Sequence, residues 1–175
     1  MRVQLTQDEW DRAIAMGSKW HAESKNTSYG RGHTRNLRPS EIGAIGEAAF
    51  AKLTGVAADL SYKRGGDGGY DFKFGGIEYN VKVSEVEGDG ALRVIAVDNE
   101  RGYTYRINPM TTYVRGHLVA DELAVVFSGY AEGWRIKRNF PELVPGVGGA
   151  WSNYVVPREK LVPLERILKK PPQAE

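Results

Sequence analysis

Gly66-Asp67-Gly68-Gly69-Tyr70-Asp71-Phe72, followed by Ile77-Glu78-Tyr79-Asn80-Val81-Lys82-Val83, decides how this chain is read. Side chains alternate across a β-strand, so Ile77, Tyr79, Val81 and Val83 share one apolar face, and Glu78, Asn80 and Lys82 share the other. Gly75-Gly76 between the two apolar runs is a tight-turn signal, and a hairpin from Tyr70–Phe74 to Ile77–Val83 follows. In its first strand Phe72 and Phe74 match the apolar face, while Asp71 and Lys73 match the polar one. The hairpin therefore permits Asp71 to lie near Asn80 and Lys82. Asp67, between glycines, reads as a turn residue.

Outward from this hairpin, Thr6-Gln7-Asp8-Glu9 forms a capping box that opens a helix from about Gln7 to Ser24. Trp10, Ala13, Met16 (or Gly17) and Trp20 recur at helical spacing on it. Pro39-Ser40-Glu41 opens a second helix, with Gly55 as its stop and Ile42, Ile45, Ala49, Phe50 and Leu53 as its buried stripe. Glu47 lies at the margin of that stripe. It is placed either to point into a cleft or to stay on the surface. Further strands are predicted at Leu92–Val97, Leu123–Gly129, Trp134–Arg138 and Asn153–Val156, with the continuous apolar run Leu123–Gly129 at the sheet centre. Residues 98–120 fit either a short helix around Pro109–Arg115 or more strand. Pro141–Ser152 reads as loop, and Arg158–Leu168 as partly helical.

The chain has 175 residues, 41% hydrophobic and 26% charged, a balance that suits one soluble globular domain. The expected layout is an N-terminal helix and basic loop over 1–38, a core over 39–168 and a tail over 169–175. No apolar run is long enough to span a bilayer, and the first residues lack the apolar core of a signal peptide, so a cytoplasmic location without membrane attachment is expected. Without cysteine there is no disulfide and no thiolate metal site. His21, His33 and His117 lack ligand spacing, which argues against zinc. The net charge of +2 excludes a uniformly basic nucleic-acid coat, so any such surface must come from local clusters. The acid-free stretch Asn26–Arg38 is one cluster: Arg31, His33, Arg35 and Arg38 could track phosphates, with Tyr29 or His33 as a stacking face. A solvated linker has the same composition. Lys63 and Arg64, before the Gly-rich turn, are further candidate nucleic-acid contacts, and Arg101, Tyr103, Tyr105 and Arg106 interleave cations with aromatics, which suits a nucleic-acid strand or an exposed hairpin.

Hydrolysis of a phosphodiester needs phosphate charge neutralised, a water activated and a leaving oxygen stabilised. Mg²⁺ favours oxygen ligands, commonly one or two carboxylates completed by water and phosphate. Asp71 offers a carboxylate, Asn80 an amide oxygen, Lys82 a cation and Glu47 a further carboxylate. A carboxylate pair such as Glu47 and Asp71 also occurs in glycoside hydrolases, a chemistry that leaves Lys82 without a role.

Gly46-Glu47 on a helix, Gly69-Tyr70-Asp71 at a strand start and Asn80-Val81-Lys82 on the next strand resemble the PD-(D/E)XK nuclease superfamily, of the small phage or mobile-element type. The resemblance spans roughly residues 40–130 and extends loosely beyond. It implies a restriction-endonuclease-like α/β core, a central mixed sheet flanked by helices. It also implies cleavage of nucleic acid, DNA foremost, with Mg²⁺ or Mn²⁺ as cofactor. Carried over by residue, Asp71 is the central metal ligand, Glu47 the helix acid, Asn80 the remaining ligand position and Lys82 the catalytic lysine. The family usually has Glu or Asp where this chain has Asn80. Three outcomes follow: a working variant site, a nucleic-acid-binding protein without catalysis, or a site disabled by an acid-to-Asn change. Monomer and homodimer are both open.

Overall fold

The computed structural model describes residues 1–23, 37–57, 70–98, 103–104, 107–145 and 151–168. The chain is mixed α+β, with the two N-terminal helices packed on one face of a five-stranded mixed sheet and a second sheet and a short helix on the other. Strand β1 (Arg2–Gln4) leads into α1 (Gln7–Glu23), then α2 (Pro39–Thr54), and the hairpin β2 (Phe72–Phe74) and β3 (Ile77–Ser84) follows. Next come β4 (Leu92–Asp98), β5 (Tyr103–Thr104), β6 (Thr111–Val119), β7 (Ala124–Glu132), α3 (Gly133–Asn139), β8 (Leu143–Pro145), β9 (Trp151–Val156) and α4 (Glu165–Leu168). The first sheet runs β1-β7-β6-β3-β2 and the second β5-β4-β9-β8. β3 and β6 are parallel, and the connection between them carries β4 and β5 into the second sheet.

Local chemistry explains the helices. The Glu9 amide donates to Thr6 Oγ1 at 3.2 Å and the Thr6 amide to Glu9 Oε2 at 2.7 Å, closing the expected capping box. Helix α2 starts with Pro39 in its first turn and ends at Gly55, whose φ of 71° is the left-handed cap. The two helices touch where a Cβ on Gly17 would come within 2.4 Å of the Glu41 Cα, so Gly17, not Met16, faces the partner helix. Glu41 is buried there and accepts hydrogen bonds from the Ser18 hydroxyl (2.6 Å) and the Arg38 amide (2.7 Å).

Phe50 of α2 is fully buried against the apolar face of the hairpin and against β7. Its ring lies 5.1 Å from Phe72, 5.9 Å from Tyr79 and 5.8 Å from Phe127. Large aromatics dominate core energetics, so this cluster fixes the hairpin on the helices. Leu92, Val94, Val156 and Ile136 form a second core with Tyr113 of β6 and Ala131 of β7. The second sheet and α3 thus cover the β6–β7 half of the first sheet, and no β3 residue belongs to that core.

Three expectations need correction, one open choice is decided for strand, and one strand was not read. Trp134–Arg138 is helical within α3, not a strand. Its buried residues Gly133 and Ile136 are three apart, a helical spacing, and a Cβ on Gly133 would meet Asn108 O at 2.1 Å. The region of Pro109–Arg115 is strand β6 from Thr111 onward, and this strand, not Leu123–Gly129, is the sheet centre. Arg115, Gly116 and His117 hid its central position, since buried central strands usually read as unbroken apolar runs. β1 went unread because three residues carry little periodicity; it pairs with β7. Within Pro141–Ser152, read as loop, Leu143–Pro145 forms β8 and pairs with β9.

Candidate active site

Gly75 and Gly76 adopt φ of 57° and 72°, the paired left-handed conformation of a two-residue hairpin turn. The turn sets the antiparallel register Phe72↔Tyr79, Lys73↔Glu78 and Phe74↔Ile77. One step further, Asp71 stands opposite Asn80. The Asp71 amide donates to Tyr79 O (2.7 Å), and the Val81 amide donates to Asp71 Oδ2 at 2.6 Å. A charge-assisted bond of this kind fixes the carboxylate beside β3. The other face matches expectation as well: Tyr79 and Val81 are buried in the helix-side core, with Val83 packed against it.

On the polar face the residues differ in exposure. Asn80 is buried, Glu78 is half-buried and Lys82 is exposed. Glu78 accepts hydrogen bonds from Asn108 Nδ2 (3.1 Å) and Thr111 Oγ1 (3.4 Å), and Lys73 Nζ lies 3.9 Å from it. It acts as a brace between β3 and the start of β6. Across the parallel ladder, Tyr113 sits beside Asn80, Arg115 beside Lys82 and His117 beside Ser84. Burial, with the Asp71 charge adding to it, raises the Tyr113 phenol above its ordinary value. The phenol therefore keeps its proton at neutral pH.

Glu47 is half-buried on α2. Its neighbour Gly46 approaches β3 so closely that a Cβ there would meet Val83 Cγ2 at 2.3 Å. The helix, and Glu47 with it, therefore lies on the apolar face of β3, while Asn80 and Lys82 belong to the opposite face and Asp71 is tied to the β3 backbone through the Tyr79 carbonyl and the Val81 amide. Arg38, expected to bind nucleic acid, precedes α2 and is half-buried. Arg31, His33, Arg35, Lys63 and Arg64 lie outside the described residues, as do Asp67, Arg101, Tyr105 and Arg106.

Among the described residues no three His, Asp or Glu side chains come together to hold a metal ion. Asp71 and Asn80, neighbours across the hairpin, each carry a hard oxygen donor. Donors of this kind suit Mg²⁺, which takes one or two carboxylates and fills its shell with water and substrate phosphate, better than a dedicated protein cage would.

The sequence reading missed Arg115. It is only 6% exposed, yet it lines a cleft of about 330 Å³ with Lys82, Ser84, Arg93, Ala91, Pro39 and Gly43. Its Nε donates to Ala91 O (2.9 Å) and its Nη2 to Ser84 Oγ (2.7 Å) and Glu87 O (3.3 Å). The signal was a lone arginine within Tyr113-Val114-Arg115-Gly116-His117-Leu118-Val119, a pattern that marks a buried, hydrogen-bonded cation on a core strand. His117, likewise buried, has its Nδ1 without a hydrogen-bond partner, and burial lowers its pKa.

Comparison with protein-family models, with curated proteins and with solved structures returned no match to this chain. No helix among the described residues is long and apolar enough to cross a membrane.

Proposed function

We propose that this chain is a divalent-metal-dependent nuclease that hydrolyses phosphodiester bonds, with DNA as the expected substrate. The observation that carries the reading is the hairpin register. That register, continued one residue past Phe72↔Tyr79, and the Val81 amide bond to Asp71 Oδ2 support a site shared by Asp71 and Asn80, with Lys82 next along the polar face of β3 and lining a cleft with Arg93 and Arg115. Asp71, with Oδ2 held by the Val81 amide, presents its carboxylate to a cation together with the Asn80 oxygen. Glu47 would supply an additional carboxylate from α2. The bound Mg²⁺ or Mn²⁺ would supply Lewis-acid polarisation of the phosphate and a more acidic water. Lys82 makes no ion pair with any described carboxylate, so its ammonium is available to orient the attacking water or to stabilise phosphate charge.

One observation favours a second reading, a nucleic-acid-binding protein without catalysis. Asn80 carries no charge, and the described residues hold no three-acid cluster. Incubation with plasmid, linear and single-stranded DNA in Mg²⁺, Mn²⁺ or EDTA decides between the two. The nuclease reading expects cleavage that EDTA abolishes and that Asp71→Ala and Lys82→Ala each reduce by roughly 10²–10⁴-fold with folding intact. Cleavage that ignores EDTA removes the metal mechanism. Binding without cleavage, unchanged in Asn80→Glu, establishes the binder. Cleavage appearing only in Asn80→Glu identifies a disabled nuclease.

A further inference from the structure

The cleft beside Lys82 has the features of an anion site in its own right. Arg115, one of its lining residues, is more than nine-tenths buried, and its hydrogen bonds among the described residues go only to neutral oxygens through Nε and Nη2. Its Nη1 makes no hydrogen bond among the described residues, and it belongs to a side chain that lines the cleft. A guanidinium taken out of water without a carboxylate partner is costly, and an anion in the cleft would relieve that cost. Ser84 does not compete for the anion: its Oγ accepts from Arg115 and donates to Val86 O, so it fixes the guanidinium in place. The nearby acids are already engaged. Asp89 pairs in a bidentate fashion with Arg93, and Glu87 pairs with Arg158. Glu41, on the first turn of α2, is taken up by Ser18 and the Arg38 amide. Lys82 and Arg115 therefore remain as uncompensated positive charge at the cleft. Val81, Val83, Pro39 and Gly43 also line the cleft and add no charge to it. Pro39 and Gly43 stand one helical turn apart, and a Cβ at Gly43 would meet nothing within 4 Å. The bare Gly43 position leaves space for a tetrahedral oxyanion in the cleft.

We infer that this cleft is a phosphate subsite that holds a backbone phosphate of a bound polynucleotide, adjacent to the bond that Lys82 serves. The inference rests on the nucleic-acid reading above. It assigns Arg115 the planar fork that phosphate recognition favours, Lys82 a charge shared between the subsite and the reacting group, and Gly43 the role of keeping the entrance open.

The test uses inorganic phosphate and a short labelled single-stranded oligonucleotide, both titrated in EDTA so that no cleavage occurs. Gly43→Leu fills the cleft from a position with open space and removes no charge. Arg115→Gln removes the buried cation, and thermal melting of both variants reports folding. The subsite predicts saturable phosphate binding, weakened at least tenfold in Gly43→Leu with no fall in melting temperature, and oligonucleotide affinity falling in parallel. Phosphate and oligonucleotide affinities both unchanged in Gly43→Leu overturn the subsite, even where metal-dependent cleavage persists. Phosphate binding that is sensitive to Gly43→Leu while the oligonucleotide is indifferent overturns the polynucleotide assignment in favour of a small phosphate ligand. Gly43-sensitive binding of both without cleavage in any metal sustains the subsite and removes the nuclease reading.

Discussion

At the scale of single residues, the polar face of the first sheet has a graded environment. Lys82 is exposed, Asn80 and Arg115 are buried, and His117 is buried with Nδ1 lacking a partner. The site can hold Arg115 charged because three oxygens solvate it, whereas His117 has no comparable support. Burial disfavours the charged imidazole, and the positive charges of Arg115 and Arg158 add to that, with Glu87 opposing them. The folded His117 pKa thus lies below the ordinary unfolded value of about 6.5. As pH falls through about 6.5 the unfolded chain takes up a proton that native His117 refuses, so the native state loses stability until pH passes below the folded pKa. Urea denaturation at pH 7.5 and pH 5.5 should show this loss, and His117→Gln should shrink it. An equal loss in the variant would assign the pH dependence to other groups. The same principle bears on Asn80. A buried carboxylate there would need a cation beside it, whereas the amide can be buried without one. Asn80→Glu should therefore lower the melting temperature in EDTA and recover part of it in Mn²⁺, if the hairpin binds metal.

At the scale of elements, two glycines in the helical layer have opposite roles. Gly17 lies where α1 meets α2, and a Cβ there would collide with backbone atoms of Ser40 and Glu41 at 2.4–2.7 Å. Backbone cannot yield as a flexible side chain can, so Gly17→Ala should cost about 1–3 kcal/mol. Gly43 faces open space within α2, so Gly43→Ala should gain roughly 0.5–1 kcal/mol from helix propensity alone. Denaturant melts of the two variants should move in opposite directions; movement in the same direction would contradict the packing of α1 on α2. Elements with strong local chemistry were legible in the sequence: the capping box at Thr6, the Pro39 start and Gly55 stop of α2, and the Gly75-Gly76 turn. The turn permitted Asp71 to lie near Asn80, but the register itself was not legible and comes from the paired strands. β6 was not legible, since its identity comes from partners far along the chain. Arg115 tolerates burial only because Ala91, Ser84 and Glu87 reach it, and Gly116 is needed where Phe127 would meet a Cβ at 2.9 Å. The α3 segment misled through an apparent alternation of Trp134 and Ile136. Trp134 is 51% exposed and Ile136 fully buried, so the two do not share a face.

At the scale of the whole molecule, inserting β4 and β5 between two parallel neighbours builds the cleft. The connection from β3 to β6 brings Ala91 and Arg93 back over the end of β3. Arg115 is thereby anchored on the central strand, Lys82 stands on its neighbour and Gly43 of α2 lines the same cleft. A chain of net charge +2 has little long-range attraction for a polyanion, so its nucleic-acid affinity must come from a few placed cations. Each phosphate neutralised on duplex DNA contributes about −0.9 to the slope of log K against log salt. Lys82 and Arg115 together give about −1.8, and a few further contacts would extend this to roughly −4. A protein neutralising eight phosphates would give about −7. Fluorescence anisotropy of a labelled duplex across a salt series in EDTA should therefore give a shallow slope. Arg115→Gln should make it shallower by about one while affinity falls evenly across sequences, because a phosphate contact positions the duplex without reading it. A slope steeper than about −7 would mean that a far larger basic surface dominates binding. A slope unchanged by Arg115→Gln would remove the central strand, and with it the buried cation of the cleft, from the contact.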